Sequence, residues 1–130
     1  MNLPDSFGVV TPYIFADDAD AYVRFLEKAF GAREIGRSVA PDGRIANCQL
    51  SFAGTSIMVS EASAQFPATR AAYYFYVADA DAAMAAAERA GAIKIMEVAD
   101  MPYRDRQGGV RDPAGNIWWV SQRLTTAPYF

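Results

Sequence analysis

Apolar residues recur along this chain in two rhythms, and each half runs through them in the same order. Tyr22, Phe25, Leu26 and Ala29 stand at i, i+3, i+4 and i+7, which gathers them on one face of a helix. Met84, Ala87 and Ala90 form a similar stripe in the second half, flanked by Glu88 and Arg89. Asp18 and Asp79 stand where a helix N-cap belongs, with carboxylates placed to receive free amide donors. Gly31 and Gly91 follow the two stripes, where a helix C-terminus favours glycine. Elsewhere the period is two. Cys48, Leu50 and Phe52 alternate with Asn47, Gln49 and Ser51, and Ile57 and Val59 with Ser56, Met58 and Ser60. Trp118 and Val120 alternate with Ile117, Trp119 and Ser121. The first set of each strand is expected to pack on the helices, and the opposite set to face a shared concavity.

Each helix follows one β-rich opener, residues 10–15 and 72–77, and precedes three strands. These fall at about 33–39, 44–52 and 56–60, then 93–98, 106–111 and 116–122, with Pro41-Asp42-Gly43 and Pro113-Ala114-Gly115 as turns. The halves also match as sequence. Asp18-Ala19-Asp20-Ala21 returns as Asp79-Ala80-Asp81-Ala82, an offset of 61. The same offset pairs Tyr13 with Tyr74, Glu27 with Glu88, and Val59-Ser60 with Val120-Ser121. The expected fold is α+β, a single domain over residues 1–130 with internal repeats 9–62 and 70–123. Two βαβββ modules form a curved mixed sheet around a central cleft, with the helices on the outer face.

Composition narrows the function. At 130 residues and 52% hydrophobic, the chain can bury a real core. A net charge of −3 without a basic cluster argues against a nucleic-acid partner. The lone Cys48 excludes an internal disulfide, and in an alternating apolar stretch it reads as a buried small hydrophobe. No histidine exists to activate a thiol or a hydroxyl. The first eight residues lack the basic start and apolar run of a signal peptide, and no apolar stretch approaches the ~20 residues of a membrane span. A cytoplasmic protein with no membrane partner is expected.

The doubled unit, with Val-Thr-Pro-Tyr-Ile near the start and Arg-Asp-Pro-Ala-Gly-Asn-Ile-Trp-Trp near the end, resembles the vicinal oxygen chelate superfamily. That group holds glyoxalase I, extradiol dioxygenases, fosfomycin-resistance thiol transferases and bleomycin-resistance binding proteins. The resemblance spans about residues 9–123 and is specific for the fold, not for one reaction. It implies four metal-ligand positions, which fall here at Thr11, Met58, Ala72 and Trp119. None offers the carboxylate, imidazole or thiolate that a divalent ion needs, so no metal and no cofactor are expected. It also implies a homodimer; the two aromatics of the C-terminal Pro128-Tyr129-Phe130 are themselves expected to dock, on the partner chain or at the cleft rim.

Without a Lewis acid, the alternation leaves a cavity lined by Tyr13, Phe15, Asn47, Gln49, Met58, Tyr74, Tyr76 and Trp119. Aromatic faces with a few amides suit a flat, partly polar organic ligand. Arg104, in the charged run Arg104-Asp105-Arg106, is a candidate grip for an anionic group. The leading expectation is a small-molecule binding protein of glyoxalase/bleomycin-resistance type without metal. Two alternatives stay open: a metal-independent lyase- or isomerase-like enzyme, and a metal-dependent glyoxalase or dioxygenase should the ligand positions be misplaced. A structural or regulatory module is a third class. The ligand's identity is not legible in the sequence.

Overall fold

Cap and turn chemistry sets the order of elements. In the computed structural model, which describes Met1–Phe130, β1 (Tyr13–Ala16) leads into α1 (Ala19–Phe30). β2 (Arg33–Val39), β3 (Ile45–Phe52) and β4 (Thr55–Glu61) follow. The order repeats as β5 (Ala72–Tyr76), α2 (Ala80–Arg89), β6 (Ile93–Asp100), β7 (Asp105–Arg111) and β8 (Ile117–Arg123). The chain divides into two compact units, Met1–Thr69 and Arg70–Phe130, and each holds one βαβββ module. Strand order is β1-β4-β3-β2 in one and β5-β8-β7-β6 in the other. The opener pairs parallel with the last strand of its module, and the remaining pairs are antiparallel. The mixed sheet of this α+β fold is thus built as two four-stranded sheets, one per module.

Side chains fix each helix start to its sheet. Asp18 and Asp79 accept from the amides of Ala21 and Ala82, as N-caps should. A second acceptor comes from the far end of each module. Both carboxylate oxygens of Glu61 take amides at 3.0 Å, from Asp18 and Ala19. Gln122, its counterpart at the repeat offset, accepts from Ala80 at 3.0 Å. Glu61 is therefore a helix-anchoring group. At the other end of α1, Gly31 takes the left-handed conformation (φ 69°) and donates back to Glu27. Ala90 caps α2, and Gly91 (φ 112°) follows it.

The apolar stripe of α1 is buried together with Ile14, Cys48, Leu50, Ile57 and Val59 of its sheet. A fully buried side chain such as Leu26 contributes about 1.5–3 kcal/mol. In the second module Met84 and Ala87 of α2 are buried with Val110, Trp118 and Val120. Trp118 is only 4% exposed and donates its indole N–H to Asp112 at 2.8 Å. Trp119, on the opposite side of β8, is half-buried. Gly108 and Gly109 lie within β7 and clear space on its two faces. A Cβ on Gly108 would stand 2.9 Å from the Met84 side chain, and one on Gly109 would stand 2.6 Å from the Trp119 ring.

Two boundaries differ from expectation by two residues or more. β1 begins at Tyr13, not residue 10, because Pro12 has no amide to give a ladder; Val9 and Val10 are exposed (71% and 88%). β6 runs to Asp100, where Arg106 of β7 pairs with it in register. Neither helix is long and apolar enough to cross a membrane.

Candidate functional site

The face of each sheet opposite its helix carries the aromatic residues singled out above. In the first module Tyr13 stacks on Phe15 with ring centroids 4.8 Å apart, and Phe15 stacks on Phe66 at 5.8 Å. Register puts Met58 between Tyr13 of β1 and Gln49 of β3. One directed hydrogen-bond chain crosses this face. Gln49 donates to Asn47 (3.3 Å), Asn47 to the Tyr13 hydroxyl (3.2 Å), and Tyr13 to Ser60 (2.6 Å). The direction of the last link follows because Ser60 spends its own proton on the Ala46 carbonyl, at 2.6 Å. Tyr13, Phe15, Asn47, Gln49 and Met58 are therefore brought together.

The second module brings Tyr74, Tyr76 and Trp119 together on the corresponding face, Tyr74 opposite Trp119 and Tyr76 opposite Ser121. Tyr74, Tyr76, Tyr103, Tyr129 and Phe130 line an open cavity of about 410 Å³. Beside this aromatic lining lie buried polar groups. Asp105 is 0% exposed and is paired in register with Arg123 of β8. Its Oδ1 accepts from Arg123 at 3.0 Å, while its Oδ2 accepts from the hydroxyls of Tyr129 (2.6 Å) and Tyr74. Because Tyr129 gives its proton to Asp105, Tyr76 is the donor in the 2.7 Å bond between Tyr76 and Tyr129. Gln107 accepts from Tyr103 and donates to Ser121 at 2.7 Å. No buried side-chain nitrogen or oxygen is left without a partner.

The electrostatics follow from these contacts. Burial pushes the Asp105 carboxyl upward, but bonds from Tyr129, Tyr74 and Arg123 outweigh it and hold the group below the ordinary aspartate value. Burial, and then the hydrogen bond to Asp105, raises the Tyr74 phenol. The same two causes raise the Tyr129 phenol well above its usual range.

Sequence reasoning did not pick out Asp105, Tyr103, Gln107 or Arg123 as site residues. The alternation Asp105, Gln107, Gly109 puts all three on the face of Tyr74 and Trp119 once the β7–β8 register is known, but register is not local information. Arg104 lies exposed between β6 and β7 in left-handed backbone (φ 71°) and does not line the cavity. The C-terminal tail folds back on its own module. The Arg123 guanidinium sits 3.9 Å over the Tyr129 ring and also donates to the Ala127 carbonyl at 2.7 Å.

At the metal-ligand positions implied by the family, Thr11 bonds to the Gly8 carbonyl just before β1, and Met58 lies on β4. Ala72 opens β5, and Trp119 lies on β8. No group of three or more His, Cys, Asp or Glu side chains that could hold a metal ion exists in the molecule. This donor set does not fit a divalent ion. A polar hollow of about 520 Å³ near the start of α1 is lined by Asp17, Asp18, Asp20, Arg37, Arg44 and Glu61, among others. Several of its charges are already engaged: Arg37 binds Asp20 at 3.0 Å, and Glu61 holds the helix.

The sequence profile of the Glyoxalase/Bleomycin resistance protein/Dioxygenase superfamily matches residues 6–120. An uncharacterized protein of Mycobacterium tuberculosis is 31% identical over 124 residues, covering 87% of this chain and 73% of its own length. Among solved structures, TioX from Micromonospora sp. ML1 is similar with a TM-score of 0.75 at 26% identity, over 94% of this chain and 100% of its own. TnmS3, an antibiotic binding protein from Streptomyces sp. CB03234, is similar with a TM-score of 0.70 at 18% identity, over 94% of this chain and 97% of its own. At that identity the likeness is one of fold.

Proposed function

This chain belongs to the Glyoxalase/Bleomycin resistance protein/Dioxygenase superfamily, and on that premise we propose that it is a small-molecule binding protein. The ligand is a flat, partly aromatic or amphipathic molecule, held without a metal ion. The observation that carries the reading is the cavity of Tyr74, Tyr76, Tyr103, Tyr129 and Phe130 beside the buried Asp105. Broad aromatic faces bury apolar area at low entropic cost, and a few fixed polar atoms orient the guest. Thr11, Met58, Ala72 and Trp119 bring no donor for a Lewis acid, which favours binding over the metal-assisted chemistry of the family. TnmS3, an antibiotic binding protein, shows that the same fold can serve such a role.

A metal-independent enzyme would need a proton acceptor poised near neutrality. Asp105 is held below the ordinary range, and its oxygens already accept from Tyr74, Tyr129 and Arg123. Binding is the better fit. The protein works as a cytoplasmic homodimer in this proposal, since Tyr13, Tyr74 and Tyr76 are more than 40% exposed and a second copy would cover apolar surface. A thermal-shift screen over planar aromatics, amphipathic acyl compounds and divalent metal ions tests the reading. Flat aromatics should raise the melting temperature, by the equivalent of about 2.7 kcal/mol at a hundredfold excess over Kd. Stabilisation by metal ions alone, or by nothing in the panel, refutes it.

A further inference from the structure

We propose that Tyr129 is a built-in stand-in for the ligand: its phenol occupies, on Asp105 and Tyr76, the place that an aromatic hydroxyl of the guest takes when the tail moves aside. This deepens the binding reading above and rests on it. The first support is how few points attach the tail. Residues 124–130 form no helix or strand after β8 ends at Arg123. The Leu124 amide donates to the Arg104 carbonyl at 2.9 Å, and beyond it the tail is held by Arg123 bonding the Ala127 carbonyl, by the guanidinium lying 3.9 Å over the Tyr129 ring, and by the bonds of the Tyr129 hydroxyl. Tyr129 is still 42% exposed and Phe130 wholly so, so the tail withdraws no fully buried side chain when it leaves. Segments with few buried contacts open at the low end of a protein's stability range.

The second support is what stays behind. Asp105 is fully buried in β7 and remains fixed by Tyr74 and Arg123 after Tyr129 departs. Its Oδ2 then lacks one donor, and the Tyr76 hydroxyl lacks its acceptor. One atom filled both roles, taking a proton from Tyr76 and giving one to Asp105. A hydroxyl meets that demand; a carbonyl or ether cannot donate, and a carboxylate would face the charge of Asp105. The guanidinium face of Arg123, uncovered once the Tyr129 ring lifts away, favours a π-system attached to that hydroxyl. The guest is thus a flat aromatic bearing a phenolic hydroxyl at its edge. The first module supplies an internal contrast. Phe66 stacks there on Phe15 but has no hydroxyl, and the counterpart of Asp105 at the repeat offset is Arg44.

A tail docked nine-tenths of the time weakens apparent affinity about tenfold, because only the open fraction is competent. The test measures Kd for 2-naphthol and for its methyl ether by fluorescence titration. The chains are the full protein, the Tyr129→Phe variant, and a chain ending at Thr126, each checked by circular dichroism. The truncated chain should bind 2-naphthol about tenfold tighter than the full protein, and Tyr129→Phe should also gain. The methyl ether, which accepts but does not donate, should gain much less. Equal 2-naphthol affinities across the chains, or weaker binding by the variants, overturn the stand-in role while leaving the cavity as a binding site. An equal gain by the methyl ether overturns the hydroxyl assignment. If neither probe binds any chain, both this inference and the binding reading fall. Should the truncated chain misfold, Tyr129→Phe decides alone.

Discussion

Replacing Asp105 by asparagine tests the polar centre of the second module. The carboxylate is 0% exposed and accepts from the Tyr129 hydroxyl at 2.6 Å, from Tyr74 and from Arg123 at 3.0 Å. An amide of the same shape keeps one acceptor atom and turns the other into a donor, which then faces a donor. Hydrogen bonds to charged groups contribute about 1.5–3 kcal/mol each, and breaking a buried ion pair costs about 3–5 kcal/mol. The lower end applies here, because Arg123 keeps the carbonyls of Tyr103 and Ala127 and its side chain is partly solvated. A loss of about 3 kcal/mol, or roughly 10 °C in Tm at this chain length, is expected for Asp105→Asn. The folded-state carboxyl lies below the ordinary value of 3.8, so its stabilising contribution is present above that pH and fades as pH falls through the folded value. The gap between the two proteins in thermal melts should therefore hold from pH 7 to about pH 4 and begin to narrow by pH 3. A variant melting within about 2 °C of the parent at pH 7, or a gap unchanged down to pH 3, refutes the reasoning.

Three further outcomes follow from single contacts. Cys48 is fully buried, and burial together with the charge of Glu34 raises its thiol to about 11; it should not react with a disulfide reagent at pH 8 until the protein is unfolded, and rapid native reaction would show the site is open. Glu61→Ala removes the acceptor of two helix amides and should cost about 1–2 kcal/mol in urea denaturation, and a cost near zero would show that water replaces it freely. Gly109→Ala places a Cβ 2.6 Å from the Trp119 ring, so it should shift tryptophan emission and lose about 1–3 kcal/mol, whereas unchanged fluorescence would mean the indole does not rest on β7.

Local signals carried most of the fold. The stripe of Tyr22, Phe25, Leu26 and Ala29, the caps Asp18 and Asp79, and the alternation through Cys48, Leu50, Ile57 and Val59 each depend on neighbours a few residues away. The sides assigned to Trp118 and Trp119 follow from the same period of two. The candidate site was legible only as aromatic positions at alternate strand residues, of which Tyr74 and Tyr76 line the cavity of the second module. What joins them was not. Glu61 reaches α1 only because β4 pairs with β1, and Asp105 meets Arg123 only through the β7–β8 register. Tyr129 meets both only because the tail turns back, and no period announces that. The packing role of Gly108 and Gly109 was not legible, because a missing side chain leaves no trace of the partner it makes room for.

Chemical-shift mapping tests the central claim most directly. The isotope-labelled protein is titrated with the flat aromatic compound that stabilises it best in the melting screen. Binding as described here moves the resonances of Tyr74, Tyr76, Tyr103 and Phe130, which line the cavity, together with the backbone amide of Asp105. Shifts gathered instead around Asp17, Asp20 and Arg37, in the polar hollow near α1, would contradict it.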